Sequence, residues 1–185
     1  PLRLTVNDIF RGGINNPLSV SGRIEQGSLQ VGEQILVQPA GETAHIKAIE
    51  LANEGAEWAV AGQIVTLHLT DIDAAHLRQG DIVCPVASPI QNLMSFTAKV
   101  LAFEHVLPGY VDVHRGPMYQ TGRIKRLVAL LDKASGEVVK RKPRIVQSGQ
   151  VVRCVVEVEG KMPLEKGGRV VLRSEGVTVG AGLLE

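Results

Sequence analysis

Aromatic residues are scarce in this chain, at 3% of its 185 residues, whereas hydrophobic residues make up 44%. A core must therefore be built from Val, Ile, Leu and Ala, and β-branched residues favour strands. The scarcity also leaves no ladder of rings on which nucleic-acid bases could stack. Net charge is nearly absent as well, at +1 from 20 basic and 19 acidic residues. This balance argues against a protein that coats nucleic acid along its whole surface.

Long apolar runs and cysteines are also lacking. No run approaches the roughly 20 apolar residues of a membrane-spanning helix, and the opening PLRLTVNDIF has no signal-peptide pattern. The two cysteines, Cys84 and Cys154, lie far apart inside apolar runs, which favours reduced and buried thiols over a disulfide. We therefore expect a cytoplasmic protein with no membrane partner.

The motifs of common active sites are missing too. There is no G-x-x-x-x-G-K-[ST] run. The chain therefore lacks the backbone cradle and the lysine with which that motif holds nucleotide phosphates. The five histidines are not spaced as metal ligands, and no G-x-S-x-G elbow surrounds a serine. We expect this chain to contribute no catalytic residues, no metal site and no cofactor site, and so not to be an enzyme by itself.

Period-two alternation of apolar and polar residues dominates what is present. In the run from Val151 to Glu159, residues Val152, Cys154, Val156 and Val158 would face a core while the residues between them face water. The same pattern predicts that Val65, Leu67 and Leu69 point inward, as do Leu2, Leu4 and Val6, with Arg3, Thr5 and Asn7 outward. The chain is thus predicted to be all-β.

Turn signals separate these runs about every ten residues, including GGINNP at residues 12–17 and ASGE at residues 134–137. Two prolines interrupt the pattern at residues 85–91, which predicts a linker. Each half is long enough for six or seven short strands, which can close a barrel and remove its edges. We predict two consecutive small antiparallel β-barrels of Greek-key type, at residues 1–88 and 89–185.

Positive charge concentrates around the ASGE turn, where Lys133, Lys140, Arg141, Lys142 and Arg144 fall close together. One interpretation is a solvated hairpin that protects a sheet edge. The other is a docking surface for RNA phosphates or an acidic partner. A second cluster, formed by Arg115, Arg123, Lys125 and Arg126, adds weight to the docking interpretation. The single tryptophan, Trp58, is expected to be buried, as an isolated indole usually is.

The run LSVSGRIEQGSLQVGEQILVQP, residues 18–39, resembles the second domain of the translational GTPases of the elongation factor one-alpha and elongation factor Tu class. The motif G-x-[IV]-x-x-G-x-[IL]-x-x-G-[DE]-x-[IV] is matched by Gly22, Ile24, Gly27, Leu29, Gly32, Glu33 and Ile35. Further on, AVAGQIVTLHL and LRQGDIVC are similar to the strands that close the same barrel.

The second half narrows the resemblance. Residues 130–165 and 168–185 are similar to the third domain of the branch that contains termination and ribosome-rescue GTPases, with its D-K-x-S-G-E turn and a basic run after it. EWAVAGQIV and GYVDVHRG resemble the Hbs-one-like rescue GTPases, the partners of Pelota. Glu33 and Gln63 stand where aspartate is usual, which weakens the transfer of individual contacts.

The resemblance implies a C-terminal fragment, expected to be monomeric, of a GTPase that delivers a Pelota-like protein to stalled ribosomes. GTP and Mg²⁺ would be held in a domain outside this chain. The first barrel would face RNA of the small ribosomal subunit near Arg23, Gln26 and Lys47. The second barrel would dock the cargo protein through Lys140, Arg141, Lys142 and Arg144. Two alternatives stay open: the termination GTPase that carries the class-one release factor, and an adaptor scaffold for the exosome or Ski complex. A freestanding RNA-binding barrel module is disfavoured, because the chain has no ladder of aromatic rings for base stacking.

Overall fold

The fold is described by a computed structural model that covers residues 1–11 and 18–185. The described residues divide into two compact units, unit 1 at Pro1–Gln91 and unit 2 at Asn92–Glu185. The boundary expected after residue 88 falls in the segment between the last strand of unit 1 and the first strand of unit 2. The turn predicted at residues 12–17 lies outside the described ranges. No helix within those ranges is long and apolar enough to cross a bilayer.

Unit 1 is built on a closed ring of six antiparallel strands, in the order β4-β9-β1-β2-β8-β5, with β5 pairing back onto β4. Strand β6 extends from β5, and β3 pairs with β7 in a separate two-stranded sheet. The strands are β1 (Arg3–Arg11), β2 (Leu18–Gln26), β3 (Ser28–Gln30), β4 (Gln34–Gln38), β5 (Glu42–Leu51), β6 (Glu54–Ala56), β7 (Trp58–Val60), β8 (Ile64–Thr70) and β9 (Ile82–Pro85). A single 3-10 turn, Ala74–His76, lies between β8 and β9.

The core of unit 1 follows from alternation along its strands. Val65, Leu67 and Leu69 of β8 are buried, as predicted, while the residues between them stay partly exposed. Such alternation places every second side chain on the inner face of the ring, where its apolar area is removed from water. The apolar residues of the neighbouring strands meet there in one continuous cluster.

Strand β1 departs from this pattern at two polar residues. Arg3 and Thr5 were predicted to face water, but each is only 8% exposed. Their polar atoms are bonded inside the protein: Arg3 Nη1 donates to the carbonyls of Leu2 (3.0 Å) and Ser88 (2.8 Å), and Thr5 Oγ1 donates to Glu25 Oε1 (2.6 Å). Burial of a polar group is tolerated when its hydrogen bonds are replaced in this way. The prediction for these two residues is therefore wrong.

Unit 2 repeats the architecture with a second closed ring of six antiparallel strands, in the order β11-β15-β16-β10-β14-β12, and β11 pairs back onto β12. Strand β13 is attached to β12. The strands are β10 (Asn92–Ala102), β11 (Gly109–Arg115), β12 (Met118–Leu131), β13 (Val138–Arg141), β14 (Val151–Pro163), β15 (Arg169–Ser174) and β16 (Val177–Leu184).

The core of unit 2 is centred on β14, which pairs with both β10 and β12. Val152, Cys154, Val156 and Val158 are all buried, as the alternation predicts. The prediction of an all-β fold made of two consecutive antiparallel β-barrels is thus confirmed.

Candidate functional site

The hairpin between β12 and β13 is held by the side chain of Asp132. Its Oδ1 accepts hydrogen bonds from the backbone amides of Ala134 (2.9 Å) and Ser135 (2.8 Å), and from Ser135 Oγ (3.2 Å). These bonds lower the pKa of the Asp132 carboxyl, chiefly through the Ser135 amide and then the Ala134 amide. Gly136 completes the turn with a φ of +74°, a conformation that side chains disfavour. The sequence ASGE thus fixes where the basic segment after it leaves the barrel.

That basic segment lies along β12 and continues past the end of β13. The cations predicted to dock cargo, Lys140, Arg141, Lys142 and Arg144, are all exposed. Beyond β13, the backbone amide of Lys142 still donates to the Val128 carbonyl at 2.9 Å. This bond holds the backbone at Lys142 against β12, while the side chains of Lys142 and Arg144 stay exposed.

A groove of about 510 Å³ lies between this segment and β12. Its size falls within the range of ligand-binding clefts. It joins two charge clusters that are separate in the sequence, since Lys142 and Arg144 come from one and Lys125 and Arg126 from the other. The lining residues are Pro108, Lys125, Arg126, Leu127, Val128, Lys142, Pro143 and Arg144.

A second depression of about 280 Å³ adjoins the first, because both are lined by Pro108 and Lys125. It adds Arg123 and the ring of Tyr110, which is 82% exposed. Arg115, the remaining member of the second cluster, lines neither depression; it pairs with Met118 at the far end of the β11–β12 hairpin.

One carboxylate, that of Glu157, neutralises part of this charge. Lys125 Nζ lies 2.9 Å from Glu157 Oε1, and Arg123 Nη2 lies 3.1 Å from Glu157 Oε2. These two hydrogen-bonded cations, Lys125 first, lower the pKa of the Glu157 carboxyl. A single carboxylate shared by two cations leaves a net positive charge at the rim.

The other rim cations have no such partner. Arg126, Lys142 and Arg144 make no ion pair with a carboxylate in the part of the chain that the structure describes. Three unpaired cations beside the apolar lining residues of the groove attract an anionic partner. The electric field of such a cluster raises the rate of association with that partner.

In unit 1, the residues predicted to face ribosomal RNA are all exposed, but they do not form one compact patch. Arg23 and Gln26 lie near the end of β2, with Arg23 opposite Ile64 of β8. Lys47 is the extra residue at a bulge of β5, beside the Leu69 end of β8. At the rise of a strand, these positions are about 15 Å apart along β8. Arg23 and Gln26 thus share strand β2, three residues apart, whereas Lys47 lies on β5 near the opposite end of β8.

Trp58 is not buried as expected, since 62% of it is exposed. In the β3–β7 pair, Ala59 points into the core, so the residues on either side of it, Trp58 and Val60, point outward. Ile64, also exposed at 64%, begins the next strand. The expectation failed because the pairing of β7 with β3 decides which of its side chains point inward, whatever their size.

A serine, a histidine and a glutamate lie within reach of one another on the strands of unit 1. Ser19 Oγ is 2.7 Å from His68 Nδ1, and His68 Nε2 is 3.3 Å from Glu50 Oε2. Ser19 is only 1% exposed, so a substrate cannot reach its hydroxyl. We therefore interpret the three residues as a polar link between neighbouring strands.

The apolar floor of the groove was missed by sequence reasoning. Leu127 and Val128 look like ordinary strand residues, and Pro108 and Pro143 like breaks between strands. Only a weak sequence signal marks the groove. At Lys125 to Val128, two charged residues are followed by two apolar ones, which breaks the alternation of polar and apolar residues along β12.

Comparison with known proteins assigns each unit separately. Residues 19–84 match the family described as Elongation factor Tu domain 2, and residues 95–185 match the family described as GTP-eEF1A C-terminal domain-like. Protein HBS1 of Drosophila melanogaster is 30% identical over 196 residues, covering 100% of this chain and 29% of that protein. The Elongation factor 1 alpha-like protein of Schizosaccharomyces pombe is 32% identical over 194 residues, covering 100% of this chain and 31% of that protein.

Among solved structures, sup35 complexed with GDP matches with a TM-score of 0.90 at 22% identity, over 100% of this chain and 47% of that one. At this identity the match concerns the fold alone. The chain spans less than half the length of each of these relatives.

Proposed function

Since this chain belongs to the translational GTPase family, with an elongation factor Tu domain 2 followed by an eEF1A-type C-terminal domain, we propose that it serves a GTPase that delivers a Pelota-like protein to stalled ribosomes. In this proposal the two barrels hold cargo and ribosome in the cytoplasm, and GTP and Mg²⁺ are bound by a domain outside this chain. The barrels themselves carry out no chemistry.

The observation that carries the proposal is the cationic groove of unit 2. Lys142 and Arg144 from one cluster and Lys125 and Arg126 from another converge on one apolar depression. A solvated hairpin that only protects a sheet edge needs no such convergence. Resemblance of EWAVAGQIV and GYVDVHRG to the Hbs-one-like branch supports a Pelota-like protein as the cargo.

Unit 1 supplies the ribosome contact in this proposal. Arg23 makes no ion pair in the described part of the chain, and neither does Lys47. Cations of this kind are available to phosphate oxygens without first breaking an internal bond. Gln26 lies on the same strand as Arg23 and offers a neutral donor beside it.

The test is a kinetic binding measurement of the purified chain against a Pelota-like protein and against a class-one release factor. We expect preference for the Pelota-like protein. The triple variant Lys140→Glu, Arg141→Glu and Lys142→Glu should slow association about tenfold at low salt and change dissociation less, because exposed charges act mainly on encounter. Of these three cations only Lys142 lines the groove, and Lys140 and Arg141 precede it in the same basic segment. The variant Lys161→Glu and Arg169→Glu, which changes exposed cations of the same unit outside both the groove and this segment, serves as the control.

Preference for the release factor would transfer the proposal to termination. Binding to neither protein would contradict cargo docking by these barrels and favour the adaptor scaffold, for which the exosome or Ski complex is the partner to test. Equal slowing by the control variant would show that net charge, and not this surface, governs association.

A further inference from the structure

The residues that line the two adjoining depressions of unit 2 indicate more about a ligand than the sign of its charge. The larger one, about 510 Å³, has two prolines, Pro108 and Pro143, among its lining residues. Its other apolar lining residues are Leu127, which is buried, and Val128, which is partly buried. These four apolar residues, half of the lining, favour an apolar group of the ligand.

Bulges in β12 create this arrangement. The pairing of β12 with β14 shifts register between Ile124 and Arg126 and again between Leu127 and Ala129. At the first shift the extra residue is Lys125, so two consecutive cations, Lys125 and Arg126, are both exposed. A bulge redirects side chains in just this way, and bulges are frequent beside functional sites.

The rim sets the charge of the ligand. Arg126, Lys142 and Arg144 have no carboxylate partner within the described residues, and Lys125 shares Glu157 with Arg123. A ligand that fits therefore combines anionic groups with an apolar group between them. A purely anionic polymer would pair with the rim cations but would leave the apolar surface of Leu127 and Val128 in contact with water or with charged groups. Both outcomes cost free energy.

We propose that this groove binds a short acidic peptide segment of the partner protein, with one apolar side chain seated on Leu127 and Val128 between Pro108 and Pro143. Carboxylates of the segment pair with Arg126, Lys142 and Arg144. The inference rests on the proposed function, because it names the chemistry by which unit 2 recognises its cargo. Nucleic acid is the disfavoured ligand, since no aromatic ring lines the larger depression and Tyr110 is the one aromatic residue that lines the adjoining one, whereas single-strand binding stacks successive bases on several rings.

The test uses the whole chain and two labelled synthetic peptides, read by fluorescence anisotropy. The first alternates Glu and Asp around one central Leu, and the second has Ser in place of that Leu. We expect the Leu peptide to bind about tenfold more tightly, because complete burial of a Leu side chain gives somewhat more than that difference and a surface groove buries only part of it. Addition of salt should weaken both peptides, while the preference for Leu should persist.

Variants locate the binding. The triple change Arg126→Glu, Lys142→Glu and Arg144→Glu should weaken the Leu peptide at least about tenfold, and Pro108→Asp, at an exposed lining residue, should reduce the preference for Leu over Ser. The Lys161→Glu and Arg169→Glu control should bind as the unchanged chain does. Circular dichroism and thermal unfolding of each variant separate lost binding from lost folding.

Equal affinity for the Leu and Ser peptides would overturn the inference, since the groove would then recognise charge alone. Tighter binding of a single-stranded RNA oligonucleotide, with displacement of the Leu peptide, would also overturn it. Loss of peptide recognition with intact binding of the Pelota-like protein would refute only the inference. Peptide recognition without binding of that protein would refute only the proposed cargo.

Discussion

A Cβ atom at Gly22 would overlap the backbone carbonyl oxygen of Thr5 on the neighbouring strand. Because the obstacle is backbone inside a closed barrel, it cannot move aside as a flexible side chain could. We expect Gly22→Ala to lower the free energy of unfolding by about 2 kcal/mol or more. Urea denaturation, followed by circular dichroism, measures the change.

The matched control for this prediction is Gly55→Ala. Gly55 lies in β6, its backbone has no positive φ, and a Cβ added there would meet no atom within 4 Å. This substitution should change the free energy of unfolding by less than about 0.5 kcal/mol. Equal destabilisation by both variants would contradict a steric role for Gly22.

The fold could be predicted because its signals are local. The inward residues of β14, such as Val152 and Cys154, follow from alternation alone. The groove could not be predicted in the same way. It depends on bulges in β12 and on contacts between residues distant in the sequence, such as Pro108 and Arg144. Neither periodicity nor composition encodes a register shift.

A buried carboxyl in unit 1 makes stability depend on pH. Asp81 is 2% exposed, and its Oδ2 accepts a hydrogen bond of 2.7 Å from the backbone amide of Arg78. Burial raises the pKa of Asp81 to about 6, and the hydrogen bond and charge of Arg78 offset only part of that rise. Between the unfolded pKa near 4 and the folded pKa near 6, the folded protein holds a proton that the unfolded chain releases.

Stability from this group is therefore fully present below about pH 4 and is lost as the pH rises through about 6. The loss is on the order of 2 to 3 kcal/mol. Asp81→Asn, whose amide oxygen can still accept the Arg78 bond, should remove this loss and be more stable than the unchanged chain at neutral pH. Urea denaturation of both proteins across this pH range gives the comparison. Parallel pH profiles would contradict the prediction.

The thiol of Cys154 should be unreactive in the folded protein. Cys154 is fully buried within β14, and burial first, then the charge of Glu185, raises its pKa to about 12. Since the thiolate is the reactive form, an aromatic disulfide reagent at pH 8 should modify Cys154 only as fast as the barrel opens.

The measurement is best made on a Cys84→Ala variant, which removes the other buried thiol and leaves Cys154 alone. Absorbance of the released thiol should remain near baseline in buffer and rise to one equivalent per chain in strong denaturant. Rapid stoichiometric reaction in buffer would show that unit 2 opens far more readily than its continuous core implies.

The separation of Arg23 from Lys47 makes a specific prediction about ribosome binding, which rests on the proposed function. Both side chains are exposed without an ion pair in the described part of the chain, so charge reversal should leave the barrel folded. Each reversal, Arg23→Glu or Lys47→Glu, should weaken binding of the full-length factor to the small subunit and reduce the slope of log affinity against log salt by about 1.

Because the two positions lie about 15 Å apart along β8, their free-energy changes should add in the double variant. A single compact site would instead give a double variant little weaker than the stronger single one. Sedimentation or filter binding across a salt series distinguishes these outcomes, with Lys161→Glu as the control for net charge. If a single variant leaves the salt slope unchanged, the residue that it replaces does not contact the ribosome. The other residue is then judged by the salt slope of its own variant.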